Sequence, residues 1–215
     1  MTTLAEAMIL LSDRGSSARF TTVDRNSATV GATLADLALA GRIALHGKDV
    51  TVVDPQPTGD AVMDEVLAQI AASKPRQPAK WMSRLYWGFP NRVRDALAGR
   101  EVLTRTTSKL FHVRKYTSAT PAAETETRQR LLAAVATGGT DDAWVAELAA
   151  QVRAANMEQY LLPELPRAEA RQRIAAIAAS SWTGEASRAA RHNNYIAYTA
   201  ALLPIAVTLM IVFTR

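Results

Sequence analysis

Residues 37–67, LALAGRIALHGKDVTVVDPQPTGDAVMDEVL from Leu37 to Leu67, hold more local instruction than any other part of the 215-residue chain. Val30, Leu34, Leu37 and Ala38 recur at helical spacing, and Gly41 stands where a helix ends on a residue turned left-handed. Ile43 and Leu45, then Val50, Val52 and Val53, flank His46-Gly47-Lys48-Asp49, the pattern of a short hairpin. Two prolines and a glycine between Asp54 and Asp60 break the backbone. A second helix then starts, with Thr58 or Asp60 as its cap and Asp64 and Glu65 near its positive end.

The helix, glycine and hairpin recur further along. Ala38 to Leu45 (ALAGRIAL) and Ala96 to Leu103 (ALAGREVL) agree at six of eight positions, and the second run leads into a hairpin with its turn near Thr107-Ser108 and its return strand from Lys109 to Tyr116. Between the two units, Val62, Val66, Leu67 and Ile70 mark a core-facing helix, and Ser73 to Lys80 reads as a linker. Trp81, Leu85, Phe89 and Val93 share a helical face that Gly88 and Pro90 divide into two pieces.

Leu4 to Leu11 reads as an opening helix with Leu4, Met8 and Leu11 on one face and Glu6 on the polar face. Asp13 to Asn26 is polar, and Ser118 to Thr125 is a loop containing Pro121. From Glu126 the pattern is helical: Leu131 to Val135, Trp144 to Ala155, Arg167 to Ala179 and Glu185 onward. The expected fold is mainly α, a helical bundle with two or more peripheral β-hairpins. Residues 1–195 form the domain. Residues 196–215 form an apolar C-terminal helix, packed on the domain or anchored in a membrane. The uncharged run Ile196 to Phe213 falls short of the about 20 residues a spanning helix needs.

Composition narrows the function. With no cysteine, disulfide scaffolds, thiolate zinc sites and cysteine nucleophiles are excluded together, which fits a reducing compartment. No signal peptide precedes Leu4, so the expected location is cytoplasmic, with membrane association. The roughly fourfold excess of arginine over lysine suggests a GC-rich bacterial genome. The net charge of +5 is unevenly spread: residues 1–73 carry 5 basic against 9 acidic side chains, 74–115 carry 11 against 2, and 116–215 carry 9 against 9. That basic middle block predicts an anionic partner.

No chemistry-bearing motif accompanies it. Asp54, Asp60, Asp64 and Glu65 fit helix capping better than a magnesium site, and His46, His112 and His192 lack metal-ligand spacing. GxSxG, Walker and GxGxxG patterns are absent. The chain is read as non-enzymatic, with no cofactor and no small-molecule substrate. A helix followed by a β wing also describes winged-helix DNA binders. Nucleic acid is the less favoured partner, because the helices before both hairpins offer small and apolar side chains rather than a base-reading face. Trp81, Trp144 and Trp182 are expected in the core, with Trp87 exposed at the Gly88 break.

The run Leu37 to Leu45, with Val53-Asp54, Pro57-Thr58-Gly59-Asp60, Asp64-Glu65 and Leu67, resembles the Golgi phosphoprotein three family over about Leu4 to Glu185. That resemblance implies a peripheral membrane or adaptor role, binding phosphatidylinositol 4-phosphate through one tryptophan and three basic residues. Carried onto this chain, those positions fall near Phe20-Thr21 and at Val30, Trp87 and Pro90, and none matches. The retained feature is charge. Candidate lipid-binding residues are Arg84, Trp87, Arg92 and Arg94 on the expected surface, and Arg105, Lys109, Arg114 and Lys115 on the second hairpin. In the family that hairpin touches membrane and mediates self-association. The partners expected are therefore anionic membrane lipids and, through the 102–117 hairpin, a second copy of the chain; a purely structural self-associating protein is the remaining alternative.

Overall fold

The computed structural model describes residues 2–12, 22–107, 114–118 and 121–181. Two helices form its interior. The first, α1 (Leu4–Ser12), is buried at every position, Glu6 and Ser12 included. This differs from the amphipathic helix that its sequence predicts. Its start explains how a polar residue is accommodated there. Thr3 Oγ1 accepts a hydrogen bond from the Glu6 amide at 3.2 Å, and the Glu6 carboxylate accepts one from the Thr3 amide at 3.1 Å, which is a capping box. Two further free amides at this helix start, those of Leu4 and Ala5, donate to the Asp36 carboxylate of α2 (Thr22–Leu39) at 2.8 and 3.1 Å.

Helix α2 closes as its sequence predicts. Gly41 takes φ +69, its amide donates to the Ala38 carbonyl, and the Arg42 amide reaches back to Leu37. The chain turns into β1 (Ile43–His46) and β2 (Asp49–Val52), an antiparallel pair from Ile43 opposite Val52 to His46 opposite Asp49. Ile43 and Val50 are the buried members. The Val50 amide also donates to the Arg76 carbonyl at 2.8 Å, so one residue of the expected linker lies along the hairpin edge.

Asp60, rather than Thr58, caps α3 (Ala61–Ala71), accepting from the amides of Val62 and Met63. Met63, Val66, Leu67 and Ile70 face the core. The next helix is split by Gly88 at φ +83 into α4 (Pro78–Leu85), which buries Trp81 and Leu85, and α5 (Phe89–Gly99), which buries Phe89, Val93 and Leu97. The second hairpin, β3 (Leu103–Thr107) with β4 (Arg114–Ser118), pairs from Leu103 opposite Ser118 to Thr107 opposite Arg114. The predicted return strand is seen from Arg114 onward, and Lys109 lies outside the described residues. β3 buries only Leu103.

Pro121 opens α6 (Pro121–Thr137) instead of sitting in a loop, which suits its fixed φ and missing N–H. Asp142 caps α7 (Ala143–Ala154), the second interior helix, buried from Trp144 to Val152. A short helix that the sequence pattern does not show, α8 (Glu158–Leu161), precedes α9 (Arg167–Ile177) and one 3-10 turn, Ala178–Ser180. Helices α2, α5, α6 and α7 pack around α1, and α7 carries α9 on its other side. The two hairpins form separate two-stranded sheets. The fold is thus mainly α with peripheral hairpins. Trp182, Glu185 and the apolar run Ile196 to Phe213 lie outside the described residues, among which no helix is long and apolar enough to cross a membrane.

Candidate functional site

The basic segment is displayed mainly by α4, α5 and β3. At the elbow between the two helices Gly88, free of a Cβ penalty at its positive φ, lets the chain change direction sharply. Tyr86 turns inward and is buried, whereas Trp87 projects outward and is 82% exposed. Their rings meet edge to face with centroids 5.0 Å apart, so Trp87 rests on Tyr86 rather than hanging free. Trp81, by contrast, is completely buried, and the exposed Arg84 lies 5.9 Å over its ring. Lys74 and Lys80 are exposed on the same segment.

The remaining cations divide by environment. Arg94 is 9% exposed and its guanidinium donates to Asn91, which removes it from the surface face expected for it. Arg92 is ion-paired with Glu65 of α3, and Arg105 with Asp95 of α5 at 2.9 Å. Arg100 is paired with the buried Glu6. Arg114 and Lys115 lie on β4. The side chains of these two residues, like Lys109, lie outside what is described.

Among the described residues, the positions that the resemblance assigns to a phosphoinositide pocket do not form one. Val30 is fully buried in α2, Pro90 is buried in α5, Trp87 stands where a basic residue is expected, and Phe20-Thr21 lie outside the described residues. No planar guanidinium fork occupies any described position of that set, so bidentate phosphate recognition has no scaffold there.

The four clustered carboxylates are each accounted for. Asp54 pairs with Arg42, Asp60 caps α3, Asp64 accepts from the Thr58 hydroxyl and amide at 2.6 Å each, and Glu65 accepts from Gln69 and Arg92. Desolvation pushes the Asp64 carboxyl up, but the hydrogen bonds from Thr58 and Gly59 and the charge of Arg42 together hold the group below its ordinary range. Among the described residues no group of three or more His, Asp or Glu could hold a metal. The winged-helix alternative meets a packing objection at α2, which is buried along 28–37, and on the open face of α5 Arg92 and Asp95 are already ion-paired within the chain.

A concave region of about 390 Å³ lies between α1, the end of α5 and α6, lined by Glu6, Arg100, Glu126, Arg130 and Trp144. Arg130 stacks over the Trp144 ring at 4.2 Å and donates to Asp142 at 2.7 Å. It brings together charges of both signs. The sequence does not reveal this cluster: Thr3-Leu4-Ala5-Glu6 has the spacing of a capping box, which marks a helix start and leaves the burial of Glu6 open.

Comparison with curated proteins finds no match. The model of the Golgi phosphoprotein 3 (GPP34) family matches residues 4–193, most of the chain. With the helical bundle and the two peripheral hairpins in place, that match identifies the chain as a member of the Golgi phosphoprotein 3 (GPP34) family.

Proposed function

We propose that this chain is a peripheral membrane protein that docks on anionic lipid through the elbow between α4 and α5. One observation carries the reading: Trp87, the most exposed large apolar side chain described, is presented at a sharp turn within the basic segment 74–115. An indole at a bilayer interface keeps its ring among the upper acyl chains and its N–H among headgroups. Lys74, Lys80 and Arg84 are exposed on the same segment, each worth about 1 kcal/mol near an anionic surface. The phosphoinositide pocket of the family is not the basis of this reading. Affinity here comes from an aromatic anchor and diffuse charge, and headgroup identity matters less than surface charge.

Vesicle flotation tests it. The full chain should float with phosphatidylglycerol-containing vesicles and stay behind with phosphatidylcholine alone, and added salt should release it. Trp87→Ala and Arg84→Gln should each weaken flotation without altering thermal stability. Equal flotation with both vesicle types would overturn the electrostatic half of the proposal, and an unchanged Trp87→Ala variant the other half. A mobility shift with duplex DNA that collapses in salt would favour the nucleic-acid alternative instead.

A further inference from the structure

Within the same basic segment, two exposed guanidiniums are held by carboxylates of the same chain. Glu65 of α3 holds Arg92, and Asp95 of α5 holds Arg105, with every one of the four side chains partly exposed. Asp95 does more than pair with an arginine. Its Oδ1 accepts from Arg105 and, at 3.0 Å, from the Tyr116 hydroxyl. Arg105 and Tyr116 are directly opposite each other across β3 and β4. One carboxylate oxygen therefore fastens a cross-strand pair, and with it both strands of the hairpin, to α5.

Such pairs are poised for exchange. Solvent screens them, so each is weak in water, but the carboxylate is tethered beside its arginine at high effective concentration. A lone phosphate monoester or a sparse lipid anion competes poorly with a tethered partner. A surface dense in phosphates offers many acceptors at once to a guanidinium with five donors. We infer that Glu65 and Asp95 are selectivity residues which set the anionic charge density that a membrane must reach before Arg92 and Arg105 join the contact. This inference rests on the membrane reading above and adds a regulation to it: the free cations and Trp87 make the first contact, and the two clamped arginines respond to how crowded the surface anions are.

The test is binding of the full-length chain to vesicles over a series of phosphatidylglycerol fractions, comparing wild type, Glu65→Gln, Asp95→Asn and the double variant. Glu164→Gln serves as the control, because it removes the same unit of charge from an exposed carboxylate outside the basic segment that has no ion pair among the described residues. Each clamp variant should bind roughly two- to fivefold more tightly at intermediate fractions, with half-saturation moved to a lower phosphatidylglycerol content. The control should move much less. Adding Arg105→Gln to Asp95→Asn should cancel the gain of that variant, and Glu65→Gln reads the same effect at a site remote from the hairpin hydrogen bonds. Equal shifts for the control and the clamp variants, or no shift in the clamp variants, would overturn the inference while leaving membrane docking intact. Absence of wild-type binding at every fraction would overturn both readings together.

Discussion

The Asp36 carboxylate of α2 accepts the Leu4 amide of α1 at 2.8 Å, so a residue 32 positions away in sequence caps the helix at the centre of the fold. This acid is buried beneath the bundle, and burial is the main reason its carboxyl is pushed up to about 7; the amides of Leu4 and Ala5 oppose the shift, while Glu6 and Asp60 add to it. The native state therefore retains a proton at pH values where the unfolded chain has released it. Stability from this group is fully present below the ordinary carboxylate range and is lost as pH rises from about 4 to about 7, with a slope of at most about 1.4 kcal/mol per pH unit. Urea denaturation across that window should show the decline, and Asp36→Asn should flatten it at the cost of a weaker cap. Asp64 and Asp142, both held below their ordinary range, act in the opposite direction: their stabilisation is lost only as pH falls through values under 3.8.

Where α2 crosses α7, Gly31 leaves room for the end of a buried glutamine side chain. A Cβ added at Gly31 would stand 2.6 Å from Oε1 of Gln151, a side chain with no exposure through which to retreat. Gly31→Ala should lower stability by about 1–3 kcal/mol. In a Gln151→Ala background the same substitution should cost much less, and a double-mutant cycle by chemical denaturation measures the coupling.

The repeated unit predicts its own asymmetry. In the first copy Gly41 takes the left-handed position; in the second that position belongs to Glu101, at φ +60, with the Glu101 amide on Ala98 and the Val102 amide on Leu97. A side chain with a Cβ pays for that conformation. Glu101→Gly should therefore stabilise the protein by about 0.5–1 kcal/mol, whereas Gly41→Ala should destabilise it by about 1–2 kcal/mol. Thermal melts of both variants check the pair of signs.

That asymmetry also shows what the letters of the sequence conceal. Aligning ALAG with ALAG sets Gly99 against Gly41, yet Gly99 lies inside α5 and the helix runs two residues further before it turns. Residue identity revealed the repeat and misplaced its register; the hydrogen bonds correct it. Local signals were legible where one segment supplies its own instruction, as with the Gly41 stop, the hairpin from Ile43 to Val52 and the Asp60 cap. Glu6 was not legible as a buried charge, because Arg100, its partner, lies 94 residues away. At the candidate site the excess of basic residues and the exposure of Trp87 followed from composition and from the Gly88 break. The allocation of Arg92 to Glu65 and Arg105 to Asp95 is a property of tertiary packing, and no window of sequence contains it.

Exposure of Trp87 makes a spectroscopic prediction. In a Trp182→Phe background, with Trp81 and Trp144 enclosed, acrylamide should quench an accessible fraction of the emission that Trp87→Phe removes, while Trp87→Phe changes the unfolding free energy by under about 0.5 kcal/mol. Adding anionic vesicles to that background should shift the emission to shorter wavelength and protect it from quencher, and the variant should show neither effect in that accessible component.

The backbone bond from Val50 to Arg76 gives the elbow a mechanical footing. It stitches the chain just ahead of α4 to the edge of the first sheet, while Asp95 tethers the second hairpin to α5 at the far end. The stretch between acts as a strut secured at both ends, so a force met at Trp87 passes into the helical interior instead of being absorbed by a swinging arm. In the docking proposed above, a bilayer pressing on Trp87 would therefore bear on the whole bundle.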